Sequence, residues 1–249
     1  MSYRRYILLK RYLHFVDNSS YKPGNHPNPK LYNIWPIFQH LNGTYSKLLS
    51  PMRDVSVDES LMLYKGRLGW KQYIPQKRAR FGIKSFMLCE TQSGYIWSII
   101  TGKGTKFLEE YEHLPVSSQV VLSLMKPLLG RGYCVVMDNY YSSPQLADIL
   151  VANKTDTYGT VRINRKEMPS KICIMKWKDK KEVVLLSTVH NLDNVEIKKN
   201  EGIRKKPKVV VEYNDTMGGT DKVDQNLTYN QLVRKGGRKY YKKKYFTIF

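Results

Sequence analysis

A strand that ends in a carboxylate constrains this chain more than any other segment. Tyr133-Cys134-Val135-Val136-Met137 carries no charge, and Asp138-Asn139 follow directly. Such a run predicts a strand buried on both faces, inside a sheet covered by helices. A carboxylate at the end of that strand costs free energy unless it is paired or stands at the rim of a site. Two further aspartates have marked settings. Asp58 lies in Val55-Ser56-Val57-Asp58-Glu59-Ser60, where it ends a short strand, and Asp221 follows the pair Gly218-Gly219.

The pattern around these residues is α/β. Strands are predicted over 55–57, 81–89, 95–101, 133–137 and 158–162, and helices over 117–129 and 144–151. Gln92-Ser93-Gly94 is a turn between the second and third strands, and Pro127 can end the first helix early. The order predicts an antiparallel hairpin at one edge of a sheet and parallel strands beyond it. Ahead of this core, 1–16 reads as a basic amphipathic helix with Tyr6, Leu9, Leu13 and Val16 at helical spacing. A second helix covers 31–49, after a Pro- and Asn-rich loop. Residues 163–208 are Lys-rich and short-stranded, and read as a β-rich insertion. The chain becomes helical again from Thr220 and then strongly basic. Five regions follow: a helical 1–53, a core in two parts (54–162 and 209–225) around the insertion 163–208, and the start of a basic helix at 226–249.

Lys and Arg number 42 against 21 Asp and Glu, a net charge of +21. That excess favours a polyanionic partner, and nucleic acid is the commonest one. Acids gathered within so basic a chain point to metal-assisted phosphoryl chemistry: like charges at one sheet edge need a cation between them, and Mg²⁺ takes oxygen ligands while leaving positions for phosphate. Cys89, Cys134 and Cys173 are far apart in apolar surroundings, which argues for reduced core thiols rather than zinc or disulfides. The residues after Met1 form no apolar signal region, and no run reaches the length of a membrane span. A nuclear location is the expectation.

Each candidate also has a plainer reading. Asp58 alone reads as a strand-end cap, and Asp221 as a first-turn acid stabilised by the helix dipole. Lys77, Arg78, Arg80 and Lys84, and the later Arg162, Arg165 and Lys166, read either as solvated charge or as a path for a phosphate backbone. Asn139, Tyr140 and Tyr141 open a helix or offer rings for base stacking. His40, His113 and His190 stand at no ligand spacing and read as structural histidines.

Six ordered motifs carry a resemblance. They are Val57-Asp58-Glu59-Ser60 with Tyr64-Lys65-Gly66-Arg67; Tyr73-Ile74-Pro75-Gln76-Lys77; Phe81-Gly82-Ile83-Lys84; Met137-Asp138-Asn139-Tyr140-Tyr141-Ser142-Ser143; Gly159-Thr160-Val161-Arg162; and Gly218-Gly219-Thr220-Asp221-Lys222-Val223-Asp224-Gln225. In this order, across nearly the whole chain, the sequence resembles the piggyBac transposases. The resemblance implies an RNase H-like catalytic core with metal-binding aspartates on its first and fourth strands and on a helix after an insertion. Carried over, these are Asp58, Asp138 and Asp221, with Asp224 as a further acidic position. It implies two Mg²⁺ or Mn²⁺ ions, cleavage and strand transfer on double-stranded DNA at TTAA targets, and a homodimer. It equally admits a domesticated DNA-binding protein without chemistry. Members of the family extend further at both ends, so the chain reads as a core fragment or decayed copy.

Overall fold

Strand β1 (Asp54–Leu63) lies inside an eight-stranded sheet and sets the position of everything around it. The computed structural model describes residues 1–22, 26–77, 79–101, 107–162, 172–178, 181–199 and 202–229. β1 pairs antiparallel with β3 (Phe81–Glu90) from Val55 to Leu63, but parallel with β5 (Cys134–Met137) only from Asp54 to Val57. The far edge of β3 carries β4 (Ile96–Thr101) and the two-residue β2 (Gln72–Tyr73). On the other side β5 pairs parallel with β6 (Asp156–Val161). The order β4-β3-β1-β5-β6, with an antiparallel trio followed by two parallel strands, is the RNase H-like core that the motifs implied.

Alternation along β1 divides the core. Val55 and Val57 face one side and pack with Val120, Leu124 and Met125 of α3 (Val116–Met125) and Leu146 and Leu150 of α4 (Pro144–Ala152). α4 is the crossover that parallel pairing of β5 and β6 requires. Its start is capped by Ser143, whose Oγ accepts the Leu146 N–H at 3.2 Å. The opposite face is covered by α2 (Trp35–Leu48), α5 (Lys208–Thr216) and α6 (Gly219–Tyr229). There Phe38, Met87, Cys89, Ile99 and Val223 form one cluster, and Cys134, Val136, Tyr158 and Val209 another. The basic N-terminal segment forms a helix, α1 (Tyr3–Tyr12), which ends four residues before the expected boundary.

Three expectations change. β1 is ten residues long, so Asp58 lies inside a strand and does not end one. The apolar pattern stops at Val57 because the parallel partner stops there, while the ladder to β3 continues through Ser60↔Ser85 and Leu63↔Gly82. The segment 163–208 does not stand wholly apart from the core. β8 (Glu182–Ser187) pairs with the free edge of β6, burying Leu185 and Leu186, and β7 (Cys173–Lys178) pairs with β8. Among the described residues of this segment, β9 (Asn194–Lys199) and β10 (Gly202–Pro207) form a two-stranded sheet separate from the main one. An unpaired β6 would expose a row of backbone donors and acceptors, which β8 satisfies. Finally, α3 stops at Met125, two residues before Pro127. Residues 230–249, where the basic helix was expected to continue, lie outside the described residues.

Candidate active site

The register of β1 and β5 brings two acids together. Val57↔Met137 is the last parallel pair, so one step further along both strands sets Asp58 beside Asp138. Neighbouring strands are about 4.8 Å apart, so these two residues are adjacent although 80 positions separate them in sequence. They share a face with Ser56 and Val136, the face that α5 and α6 cover. Close packing on both sides fixes this geometry. Gly159 of β6 lies so near Met137 that an added Cβ would collide with its carbonyl oxygen, and the Gly219 position leaves only 2.6 Å between such a Cβ and Ser56 Oγ. Side chains at either place would push β6 or α6 off the strands that carry the acids.

The surroundings are charged and half-buried. The Asp58 side chain is 15% exposed, and Lys77 Nζ stands 3.8 Å from its Oδ2. The same ammonium donates to the Glu59 carbonyl oxygen at 2.8 Å. Burial pushes the Asp58 carboxyl up to about 7, with Glu59 and Asp138 adding like charge and Lys77 opposing them. Burial raises Asp138 as well, against the Tyr140 N–H that donates to its Oδ1 at 2.9 Å. Glu59 points to the other face. It accepts the Tyr141 hydroxyl proton at 3.0 Å, and Lys84 Nζ lies 3.9 Å from it. Lys84 also sits over the rings of Phe86 and Tyr140, 4.7 and 5.1 Å from their centroids. Tyr141 is fully buried, and burial raises its hydroxyl far above the usual range.

Asp221 arrives differently. It occupies the first turn of α6 and is exposed. Its neighbours hold the helix down: Thr220 and Val223 are buried, and Lys222 Nζ donates to the carbonyls of Thr91 at 3.3 Å and Gln92 at 2.7 Å. Tyr213 of α5 marks the meeting point. Burial raises its hydroxyl, and the charges of Asp138, Asp58 and Asp221 all raise it further. Yet among the described residues no three Asp, Glu, His or Cys side chains are grouped closely enough to hold one ion. Asp58 and Asp138 fit a divalent cation by their chemistry: hard oxygen donors, like-charged, half-buried, with an ammonium already against one of them.

The basic candidates separate into groups. Lys77 and Lys84 meet the acidic cluster, and Asn139 and Tyr140 are exposed beside Asp138. Arg80 is exposed in the same turn as Lys77, to whose carbonyl its N–H donates at 2.9 Å, and Arg162 is exposed just past β6. Arg78, Arg165 and Lys166 lie outside the described residues, as does the side chain of Asp224, whose backbone is in α6. Sequence reasoning passed over Glu59 and Tyr213 as parts of the site, and it read Tyr141 as opening a helix or stacking on bases, whereas the ring is buried and its hydroxyl is held by Glu59. The Asp58-Glu59 pair was a usable signal, since adjacent strand acids face opposite ways and each needs its own cation. Nothing in the sequence around Tyr213 marks it. His190 is structural as expected: it is buried, with Nδ1 at 2.8 Å from Ser187 Oγ and Nε2 at 2.7 Å from Glu212 Oε2.

Known proteins agree with this architecture. All of the chain, residues 1–249, matches the family described as Transposase IS4. The chain is similar to the human piggyBac transposable element-derived protein 3, at 28% identity over 92% of this chain and 43% of that protein. It is also similar to the human piggyBac transposable element-derived protein 2, at 25% identity over 95% of this chain and 45% of that protein. Among solved structures, a piggyBac transposase in a synaptic complex with hairpin DNA superposes with a TM-score of 0.84 at 27% identity, over 99% of this chain and 54% of that one. The chain thus spans about half the length of the relatives it matches. With the whole sequence matched to that family and the fold and order of motifs shared with piggyBac proteins, the chain belongs to the piggyBac family of transposases.

Proposed function

We propose that this chain is the catalytic core of a DNA transposase that cleaves and transfers strands of duplex DNA at TTAA targets, as a homodimer in the nucleus. The observation that supports this most directly is that Asp58 and Asp138 each directly follow the last pair of the parallel ladder, on the face covered by α6, which carries Asp221 in its first turn. In this reading Asp58, Asp138 and Asp221 hold two Mg²⁺ or Mn²⁺ ions, and Asp224, one turn on, is a further catalytic carboxylate. When bound, such ions neutralise phosphate charge and lower the pKa of a bound water. The chain's own contribution is placement. Tyr140 N–H holds the Asp138 carboxylate, and β3 holds Asp58 through the Asp58↔Met87 pair, one step past the end of the β5 ladder. Lys77, Arg78, Arg80, Lys84, Asn139, Tyr140, Arg162, Arg165 and Lys166 track the DNA backbone and stack on bases. The net charge of +21 makes affinity for a duplex fall steeply with salt, because phosphate contacts release counterions.

The synaptic complex of the similar transposase contains hairpin DNA, which supports a DNA partner here. One observation favours a second reading, a domesticated DNA-binding protein without chemistry: among the described residues three ligands do not close on one point. Incubating the protein with duplexes that carry candidate transposon ends, with Mn²⁺ and with chelator, separates the two. Ion-dependent nicking supports the transposase. Salt-dependent binding with no nicking under any ion supports the silent protein.

A further inference from the structure

Among the described residues, Lys77 is the cation that pairs with Asp58, and its position is specific. Its ammonium lies 3.8 Å from Asp58 Oδ2 and donates to the Glu59 carbonyl at 2.8 Å. The side chain is 22% exposed and reaches down from a turn outside the sheet. That turn is tight: Lys77 N–H donates to Ile74 O, Ile74 N–H to Arg80 O, and Arg80 adopts a positive φ of 52°. The turn joins β2 to β3, on the edge of the sheet away from β5, and it carries further basic residues.

We propose that Lys77 is a tethered counterion: it occupies the cation position at Asp58 when no divalent ion is bound, and leaves for a DNA phosphate when one binds. This rests on the reading of Asp58 as a metal ligand. Two half-buried acids side by side destabilise each other, and an ammonium that neutralises one of them stabilises the ion-free fold. The same ammonium competes with an incoming divalent ion for Asp58, because two cations cannot share one carboxylate oxygen at contact distance without strong repulsion. Lysine suits such a part. It is a compact charge on a flexible four-carbon stem, able to swing while its backbone stays in the turn. Once displaced it lies beside the site with its charge unpaired, which is where a scissile phosphate needs neutralising. Ion and DNA therefore favour each other's binding, and the coupling is reciprocal.

Mn²⁺ binding to the DNA-free chain, read by the loss of free-ion electron paramagnetic resonance signal, tests this without any catalytic readout. The expected result is that Lys77→Met binds Mn²⁺ at least about fivefold more tightly than the unaltered chain, the lower end of typical coupling factors. Lys77→Arg, which keeps the charge, stays near the unaltered chain. The melting temperature of Lys77→Met in chelator falls, and Mn²⁺ restores it. Asp58→Asn, measured in parallel, loses the Mn²⁺ site. If Asp58→Asn binds Mn²⁺ as the unaltered chain does, the metal-site reading itself is wrong and this inference goes with it. If Asp58→Asn loses binding but Lys77→Met and the unaltered chain bind equally, the site stands and the tethered-counterion proposal is overturned. Should Lys77→Met bind more weakly, the lysine supports the site and does not compete for it, which also overturns the proposal.

Discussion

Asp58 and Asp138 stand one step past the last pair of one hydrogen-bonded parallel ladder, whereas Asp221 stands on a helix held to that ladder by side chains. The difference is one of stiffness. Moving Asp58 relative to Asp138 means breaking the parallel pairing of β1 and β5, which is buried on both faces by Val55, Val57, Val135 and Val136. Moving Asp221 means shifting the first turn of α6, which is held by the packing of Gly219 on Ser56, by buried Thr220 and Val223, and by Lys222 on two carbonyls. In the proposed reading, a sheet fixes two of the acids before any ion arrives, and a helix end can adjust the third. This accounts for a site in which Tyr213 feels all three aspartates while no three acids close on one point among the described residues.

The largest expected effect separates the two strand-end acids from the helical one. Asp58→Asn and Asp138→Asn each remove a carboxylate that is present before DNA binds. Both should lose Mn²⁺ affinity in the free protein and lower ion-dependent cleavage by roughly three orders of magnitude, since charge stabilisation at such a centre is worth several kcal/mol. Asp221→Asn should lower cleavage comparably but leave the ion affinity of the DNA-free protein close to that of the unaltered chain. Equal loss of ion affinity in all three variants would break the comparison, because it would mean that α6 is already a full ligand in the free protein.

A smaller effect probes the packing behind each ligand. Gly159→Ala drives a Cβ into the backbone carbonyl of Met137, an atom that cannot rotate away. The cost should be about 1–3 kcal/mol of stability by urea melts, as for overpacked cores. Gly219→Ala meets Ser56 Oγ instead, a small side chain that can turn, and alanine is favoured over glycine in a helix by up to about 1 kcal/mol. Its net cost should be the smaller of the two. A Gly219→Ala variant less stable than Gly159→Ala would show that α6 docks more rigidly than the strands pair.

How much of this was legible in the sequence follows the same division. Tyr133 to Asp138 announced a buried strand ending in a carboxylate, and the strand is there as Cys134–Met137 with Asp138 next to it. Period and composition report local structure well when both faces of a strand are apolar. They failed at Asp58, where the strand continues through Glu59, Ser60 and beyond because β3, far away in sequence, supplies the ladder. At 182–187 the local pattern did read as a strand, but its pairing with β6 was not legible, since that depends on an edge that no local pattern displays. Asp58, Asp138 and Asp221 were singled out through the order of motifs. The partners that set their electrostatics were not: Lys77 contacts Asp58, and Tyr141 holds Glu59, only once the chain is folded.

The smallest expected effect lies behind the helical acid, in the middle of α5. Glu212 accepts from His190 at 2.7 Å and lies 3.6 Å from Lys208, so it ties the loop after β8 to the helix that leads into α6. Burial alone pushes the Glu212 carboxyl up, but His190 and Lys208 outweigh it and hold the group below its ordinary value of 4.5. The sign follows from linkage. A carboxyl held lower in the folded state than in the unfolded one contributes stability above the unfolded value, and that contribution disappears as pH falls through the folded value. The Glu212 side chain is 42% exposed, so solvent screening keeps the contribution to at most about 1 kcal/mol. Glu212→Gln should therefore be slightly less stable than the unaltered chain in urea melts at pH 7, and the gap should close when both are measured well below pH 4.5. Because α5 carries Tyr213 and leads into α6, the same substitution should loosen the helix that carries Asp221 and leave the ladder untouched. Faster amide exchange across 208–216 at pH 7, with exchange in β1 and β5 unchanged, is the expected pattern. Equal acceleration in all of these elements would mean that the two regions unfold as one unit and that the contrast between them is not one of stiffness.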